Sequence, residues 1–528
     1  MSTAGGSLPR FVGIRPGPVG SVAGDVHDGR PTAADLLHMP GPDGEVQLGG
    51  RRARVSEAPF TATTRGAAAK LDRILNGEGV LVSTGQQPVL FTGPLFTLYK
   101  SLTAVAHAQR IEAATGRPAL ASFWIAGDDH DWDEVGTASL VDRNGAIRRV
   151  KIVPEQMEAG RSVGPARLGK RVRPLLEEFL AAAGESEFAA ATSGLLRASY
   201  TEGACMSDAF RDAFAGLLGN VDLVLFDPAH DEARTAAVPF LTALLEQSEE
   251  AGEAFETGTA EVISRGYDPQ LRRPEGGAQL FFDDGTTRSH LQRVAGGFRA
   301  GKEGEAASTS EWRARLEAEP ARFSPAAATR PILESWLLPV ARTILGPGEM
   351  AYWAQLGPLF EQLNVRRPET ASRQAWLVVE PRVERWLAAV EADPLELEDG
   401  GVAIERRITS EHRPEEIERQ LAELRGALEE KTDLLAAATR ERLPGLDSAF
   451  GKTRKLLGDA IEGLEATIDA RVRESRQTSI DRVRRAATLL YPDGRRQERI
   501  DSVFSFLVRY GPSFLAALAE EHGVRDGP

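Results

Sequence analysis

Three short apolar runs, each breaking directly into a polar turn, constrain this chain more than any other feature. Gly79-Val80-Leu81-Val82 opens into Ser83-Thr84-Gly85-Gln86-Gln87-Pro88, Ala119–Ile125 ends in Gly127-Asp128-Asp129-His130-Asp131, and Val221–Phe226 ends in Asp227-Pro228. Short runs this apolar, broken only by Ser122 and Asp222, are strands covered on both faces, as in a parallel sheet. Between the first two runs lies a helical stretch, 95–114, entered through Pro94 at a favoured first-turn position. Strand, helix and strand with polar residues just past each strand predict a doubly wound α/β sheet, which binds ligands at its carboxyl edge. Further β-type runs at 148–153, 279–283 and 376–379 either extend that sheet or form inserted strands. Helical patterns at 172–183 and 234–247 fill gaps between them.

The rest of the chain is organised around that core. At 528 residues it is too long for one domain of roughly 100–200 residues. An arm rich in Gly, Pro and Arg, 1–60, carries one short helix at 33–38. The α/β core with its insertions occupies 61–395. A helical region, 396–490, follows, and 491–528 docks on the core. In the helical region Ile417, Leu421, Leu424, Leu428 and Leu435 recur at alternating four- and three-residue steps, with Lys431 in one core slot. After Leu443-Pro444-Gly445 the pattern resumes at Phe450, Leu457, Ile461, Leu464, Ile468 and Val472. This is an antiparallel helical hairpin of coiled-coil character, packed on its own body or forming a dimer interface.

Composition narrows the function classes. A net charge of −14, from 77 acidic and 63 basic residues, opposes broad nucleic-acid binding. No run approaches the ~20 apolar residues of a membrane helix. The first ten residues lack the basic start and apolar segment of a secretion signal, so a cytoplasmic protein is expected. Cys205 is the single cysteine, which excludes an internal disulfide and a Cys-based zinc site. Between Ala204 and Met206 it reads as a core thiol rather than a nucleophile. Only eight of the cations are Lys against 55 Arg, so a Lys inside a motif is informative.

Three segments carry chemistry. The turn from Ser83 to Gly93, with Thr84, Gly85, Gln86, Gln87 and Thr92, sits between strand and helix, where backbone N–H groups and the helix dipole favour anions. It contains neither GxGxxG nor GxxxxGKS/T, so it is no dinucleotide fingerprint or P-loop. Lys100 follows in its helix. The second segment, 123–134, crowds five carboxylates and His130 into seven residues, which demands counter-charge or full solvation. Trp124 and Trp132 on either side favour a partly buried site, where His130 is a base, metal ligand or substrate contact. The third, Gly346-Pro347-Gly348-Glu349 through Tyr352-Trp353, is a capped helix start or a loop facing the cleft. Near the C-terminus Arg495, Arg496 and Arg499 contact phosphate or dock the tail.

Together these segments resemble the bacillithiol biosynthesis cysteine-adding enzymes. The matching blocks are Ser83–Pro88, Phe91–Leu95, Leu98-Tyr99-Lys100, Trp124–Asp131, Gly346–Glu349, Ala351–Leu356 and Gln497-Glu498-Arg499, in order over most of the chain. Where that family often has Glu, this chain has Asp128, which keeps the charge. The resemblance implies a Rossmann-like doubly wound core with inserted segments plus an α-helical coiled-coil hairpin domain associated with homodimers. It also implies the last step of bacillithiol assembly, joining L-cysteine to glucosaminyl-malate through an amide bond. That bond is uphill, so ATP or another activating nucleotide with Mg is expected, held by Arg495, Arg496 and Arg499; zinc is not expected.

In this reading His130, Lys100 and Asp129 are catalytic, His130 taking a proton from the cysteine amine as it attacks. The turn residues Ser83, Thr84, Gly85, Gln86, Gln87, Thr92 and Gly93, with Lys100, hold the malyl carboxylate or a phosphate and stabilise developing negative charge. Asp128, Asp129 and Asp131 bind the amines of cysteine or glucosamine, Gly346–Glu349 closes the cleft, and Gly127, Glu349, Tyr352 and Trp353 count among the substrate-binding residues. No resident metal is expected. The competing readings are a nucleotidyltransferase of the same fold acting on a small sugar or acid, and a non-catalytic coiled-coil assembly protein.

Overall fold

A computed structural model describes residues 7–40, 53–153, 160–274, 276–443 and 445–525. The described residues of Met1–Leu377 and Gln497–Pro528 form one compact unit, and those of Val378–Arg496 a second.

The first unit is built on six strands: β1 (Phe60–Ala62), β2 (Val80–Gln86), β3 (Ala119–Ile125), β4 (Leu223–Phe226), β5 (Val340–Leu345) and β6 (Glu369–Ser372). Their order across the sheet is β6-β5-β2-β3-β4-β1, parallel except for β1 at the edge. All seven residues of β3 are buried, as the apolar run requires. Helix α1 (Leu95–Thr115) starts behind Pro94 and stops at Gly116, whose φ of 67° is the left-handed cap that glycine adopts without strain. Thirteen of its residues are buried, which explains its weak polar–apolar periodicity. Helices α2 (Asp231–Glu246), α3 (Arg330–Leu337) and α4 (Pro347–Trp353) complete the elements that position the site.

The extra β-type runs do not extend this sheet. The run at 148–153 is the second strand, Ile147–Lys151, of a separate hairpin with Thr137–Val141. The run at 279–283 belongs to a five-stranded antiparallel sheet made of 277–283, 288–294, 297–300, 306–308 and 323–325. The arm holds helices Val22–His27 and Pro31–Ala34 in place of one helix at 33–38, because Ser21 caps the first and Pro31 starts the second. Part of the arm, and Pro444 in the expected hairpin turn, lie outside the described residues.

Near the C-terminus of this unit His522 is 1% exposed. Its Nδ1 lies 2.8 Å from the Leu518 carbonyl and its ring centroid 5.4 Å from that of Tyr99. Burial, the dominant cause, pushes this imidazole down to about 4. The unfolded chain, with an ordinary histidine near 6.5, takes up the proton first as pH falls. This contribution to stability is therefore intact above about pH 6.5 and is lost progressively toward pH 4. The urea midpoint of the wild type is expected to fall over that window, and His522→Phe to flatten the slope. An identical slope in the variant would show that His522 does not titrate this way.

The second unit is helical. Its long hairpin pairs α5 (Glu415–Arg442) with α6 (Asp447–Ser475), tied by the Arg425–Glu465 and Arg454–Asp433 ion pairs. Leu421, Ile461 and Val472 are buried, whereas Leu424, Leu435 and Leu464, assigned to the same stripe, are 42%, 61% and 48% exposed. Lys431 is exposed as well, not in a core slot. Two helices alone cover only part of an apolar stripe.

Candidate active site

The carboxyl ends of β2, β3, β5 and β6 open onto a cavity of about 680 Å³. It lies where the chain order reverses between β2 and β5, the crevice in which open α/β sheets bind ligands. Its size falls within the roughly 300–1,000 Å³ of small-molecule sites.

Lys100 closes one wall. Its side chain is 3% exposed, and its ammonium meets Glu349 Oε2 at 2.6 Å, the Gly85 carbonyl at 2.8 Å and Gln86 Oε1 at 3.0 Å. Burial lowers its pKa, and Glu349 opposes that shift without cancelling it. Glu349 Oε2 also accepts the Gly346 N–H at 2.7 Å, so the segment at 346–349 both caps α4 and faces the cavity. All three ammonium protons are thereby spent within the protein, and Lys100 acts as a clasp between the ends of β2 and β5. Gly85 is required for the close approach of β2 to β3 on its other side, since a Cβ there would stand 2.8 Å from the Trp124 carbonyl.

The loop after β3 supplies an acidic wall of Asp128, Asp129, His130 and Glu134. Asp128 pairs with Arg234, whose other amine reaches the Phe323 carbonyl at 3.0 Å. Asp129 accepts from Gln87 Nε2 at 2.5 Å and from the His130 N–H at 2.7 Å, and the His130 Nδ1 stands 3.6 Å from its carboxylate. Glu134, at the rim, is pushed up chiefly by desolvation and then by Asp131 and Asp129. The expected five-carboxylate cluster is split by local structure. Asp131 caps the helix Trp132–Val135 by accepting the N–H groups of Asp133 and Glu134, and Asp133 pairs with Lys151 at 2.6 Å.

The turn after β2 divides in the same way. Gly85, Gln86 and Gln87 line the cavity. Ser83 donates to the buried Glu334, Thr84 donates to the Ile344 carbonyl at 3.1 Å, and the Thr92 N–H donates to the Tyr200 hydroxyl at 3.2 Å. Phe91, Thr92 and Gly93 carry positive φ of 51°, 67° and 72°, the tight bend that launches α1. These residues build the turn rather than the wall. Gly127 is covered by Ser207 and Gly164, and Trp353 is buried in the core. Tyr352 faces the cavity beside Arg330, which pairs with Glu334 at 2.9 Å. Cys205 is half-buried just before the helix Met206–Leu217, outside the lining of the cavity and less enclosed than a core thiol. Arg499 lines the cavity with its guanidinium 6.0 Å from the Phe96 ring, while Arg495 and Arg496 belong to the helical unit.

Several lining residues carried no sequence signal. Arg373, just past β6, is gripped bidentately by Glu498, 125 positions away. Arg288, His290, Phe281 and Gln279 arrive from the antiparallel sheet. The β pattern of 279–283 was legible, but nothing in it announced the cavity, and one Arg among 55 stands out nowhere. Among the described residues, no group of three or more His, Cys, Asp or Glu side chains is arranged to hold a metal ion. None of the described helices is long and apolar enough to cross a membrane.

Two family descriptions match the chain: "Bacillithiol biosynthesis BshC, N-terminal Rossmann-like domain" over residues 56–374, and "Bacillithiol biosynthesis BshC, C-terminal coiled-coil domain" over 376–527. Similar proteins named "Putative cysteine ligase BshC" include one from Salinibacter ruber, 26% identical over 86% of this chain and 82% of the relative. Another, from Geobacillus thermodenitrificans, is 28% identical over 85% and 83%, and one from Koribacter versatilis is 28% identical over 87% and 84%.

Proposed function

The chain belongs to the BshC family of bacillithiol biosynthesis, matched through both its Rossmann-like and its coiled-coil domain, and from that premise we propose that it is a ligase joining L-cysteine to glucosaminyl-malate by an amide bond. The observation that carries the reading is a cavity at the switch point of the sheet with an imidazole beside a carboxylate on one wall and a lysine–glutamate clasp on the other.

The amide forms between the sugar amine and the carboxyl carbon of cysteine, so the attacking group is the sugar amine and not the cysteine amine expected from the sequence. The amine must lose a proton to stay bonded, and His130, with one edge turned to Asp129, takes it on the other. Asp129 and Glu134 hold the amine while it is still an ammonium. A free carboxylate does not acylate an amine unaided, so an activating nucleotide with Mg is part of the proposal. Bound, it supplies the leaving group on the cysteine carboxyl. Arg499, which lines the cavity and has no carboxylate within ion-pair distance among the described residues, fits a phosphate of that group. A cytoplasmic setting agrees with the lack of any internal disulfide.

Purified protein incubated with cysteine, glucosaminyl-malate and Mg-ATP, each omitted in turn, is expected to form bacillithiol by mass spectrometry. The nucleotide product, AMP or ADP, identifies the activated intermediate. His130→Ala is expected to lower the rate about 10²–10⁴-fold at unchanged melting temperature. A wild-type rate in that variant would remove His130 as the base.

Homodimerisation through α5 and α6 is the second part of the proposal, supported by the exposed Leu424, Leu434, Leu435 and Leu464 along the hairpin. Sedimentation is expected to give the mass of two chains, and deletion of 415–475 the mass of one. A wild-type monomer at micromolar concentration would refute it.

A further inference from the structure

The antiparallel sheet presents three polar side chains to the cavity: Gln279 and His290 each have a buried polar atom without a partner, and Arg288 has no paired carboxylate among the described residues. A register shift between Gly277 and Phe281 in the pairing with 288–294 marks a bulge, and Gln279 sits in it with φ of 56°. Bulges re-aim side chains, and a left-handed glutamine is strain that a structure keeps at functional sites. Gln279 is 6% exposed, yet its Nε2 has no hydrogen-bond acceptor. Two strand positions away from its neighbour Phe281, the same face carries Arg288, whose guanidinium lies 3.6 Å from the Phe281 ring centroid. Its Nε donates to Ser324 Oγ at 2.9 Å and one terminal amine reaches the Pro325 carbonyl at 3.4 Å, while no carboxylate comes within ion-pair distance among the described residues. The His290 ring, tilted by 35°, has its centroid 3.7 Å from that of the same phenylalanine, and its Nδ1 is buried without a partner. Desolvation, followed by Arg288, holds His290 down to about 4, so it stands neutral and able to donate.

A largely desolvated guanidinium that carboxylates reach only from beyond ion-pair distance and a buried amide without an acceptor are both costly, and one anionic ligand satisfies them together. The ammonium of Lys100 and the guanidiniums of Arg373 and Arg330 are unavailable, each being paired to its own glutamate. We infer that Arg288, Gln279 and His290 form a carboxylate-recognition subsite that holds the acidic arm of the substrate, an inference that rests on the ligase reading. A planar guanidinium fork with one amide donor matches a carboxylate. Asp128 and Asp129 lie near enough to act on Arg288, and they oppose the larger charge of a phosphate. The alternation also suits the proposed substrate: amine beside Asp129 and Glu134, malyl carboxylates beside Arg288. This assigns to the antiparallel sheet the carboxylate-holding role expected of the Ser83–Gly93 turn and Lys100.

Calorimetric titration tests the subsite without turnover. Wild-type protein is expected to bind glucosaminyl-malate more tightly than methyl glucosaminide, which lacks the carboxylates. Arg288→Gln is expected to weaken glucosaminyl-malate roughly 10- to 100-fold, leaving cysteine and methyl glucosaminide unchanged. Gln279→Leu, which keeps the bulk, provides an independent variant with a smaller loss in the same direction. Unchanged affinity for glucosaminyl-malate in both folded variants would overturn the subsite while leaving the ligase reading intact. Arg288-dependent binding of inorganic phosphate but not of L-malate would overturn the carboxylate assignment. Arg288-dependent binding of glucosaminyl-malate with no bacillithiol formed from cysteine and Mg-ATP would support the subsite and count against the ligase reading.

Discussion

Glu498→Ala is expected to destabilise the α/β unit by about 3–5 kcal/mol, the cost of leaving one partner of a buried ion pair alone. The side chains of Arg373 and Glu498 are 2% and 1% exposed, joined by two bonds of 2.5 and 2.7 Å. Without the carboxylate, the guanidinium keeps its charge and has no water to face. Replacing both partners by apolar residues, Arg373→Met with Glu498→Leu, removes the charge and the desolvation cost together. The double variant is therefore expected to be more stable than Glu498→Ala. Urea denaturation of the three proteins checks this. A single variant within about 1 kcal/mol of the wild type would show the pair to be dispensable, as exposed pairs are. Because Arg373 lines the cavity, the same variant is also expected to lose substrate affinity.

Lys100→Met is expected to reduce turnover by about 100-fold or more even in protein that remains folded. Removing the ammonium strips Gly85 O and Gln86 Oε1 of their donor and leaves Glu349 with the Gly346 N–H alone. The ends of β2 and β5 then lose the clasp that sets their spacing, and misplacement by about 1 Å costs on the order of 10²-fold in rate. Lys100→Met with Glu349→Gln removes the orphaned charge. Stability should return in that protein while kcat stays low, since the clasp is still missing. Recovery of kcat along with stability would mean that only the buried charge mattered. Lys100→Arg is not expected to rescue, because a planar fork does not reproduce three convergent acceptors around one nitrogen.

The parts of the site that were legible in the sequence are those made by chain neighbours. Gly85 to Gln87, Asp128 to His130 and Gly346 to Glu349 each follow a strand, and a polar turn after an apolar strand has one place to go, the carboxyl edge. Legibility failed wherever a side chain's fate depends on a partner far along the chain. Ser83 turns to Glu334 and Arg373 to Glu498, and Asp131 is drawn off by the N–H groups of its own short helix. The stripe of α5 and α6 was likewise readable as periodicity, but not the fraction of it that a two-helix hairpin buries.

By itself the sequence determined the strand–turn–helix order, the parallel sheet, the helical hairpin and the family, because apolar spacing and local turn chemistry act over a few residues. Only the tertiary structure decided which cations are free to meet a ligand. Lys100, Arg330 and Arg373 look as available in the sequence as Arg288 does. Each of the three is held by a glutamate that the fold delivers, from 4 to 249 positions away, and Arg288 is not. A charge buried beside its counter-charge is spent on the fold, and one with no carboxylate in ion-pair distance at a cavity wall remains available to a ligand.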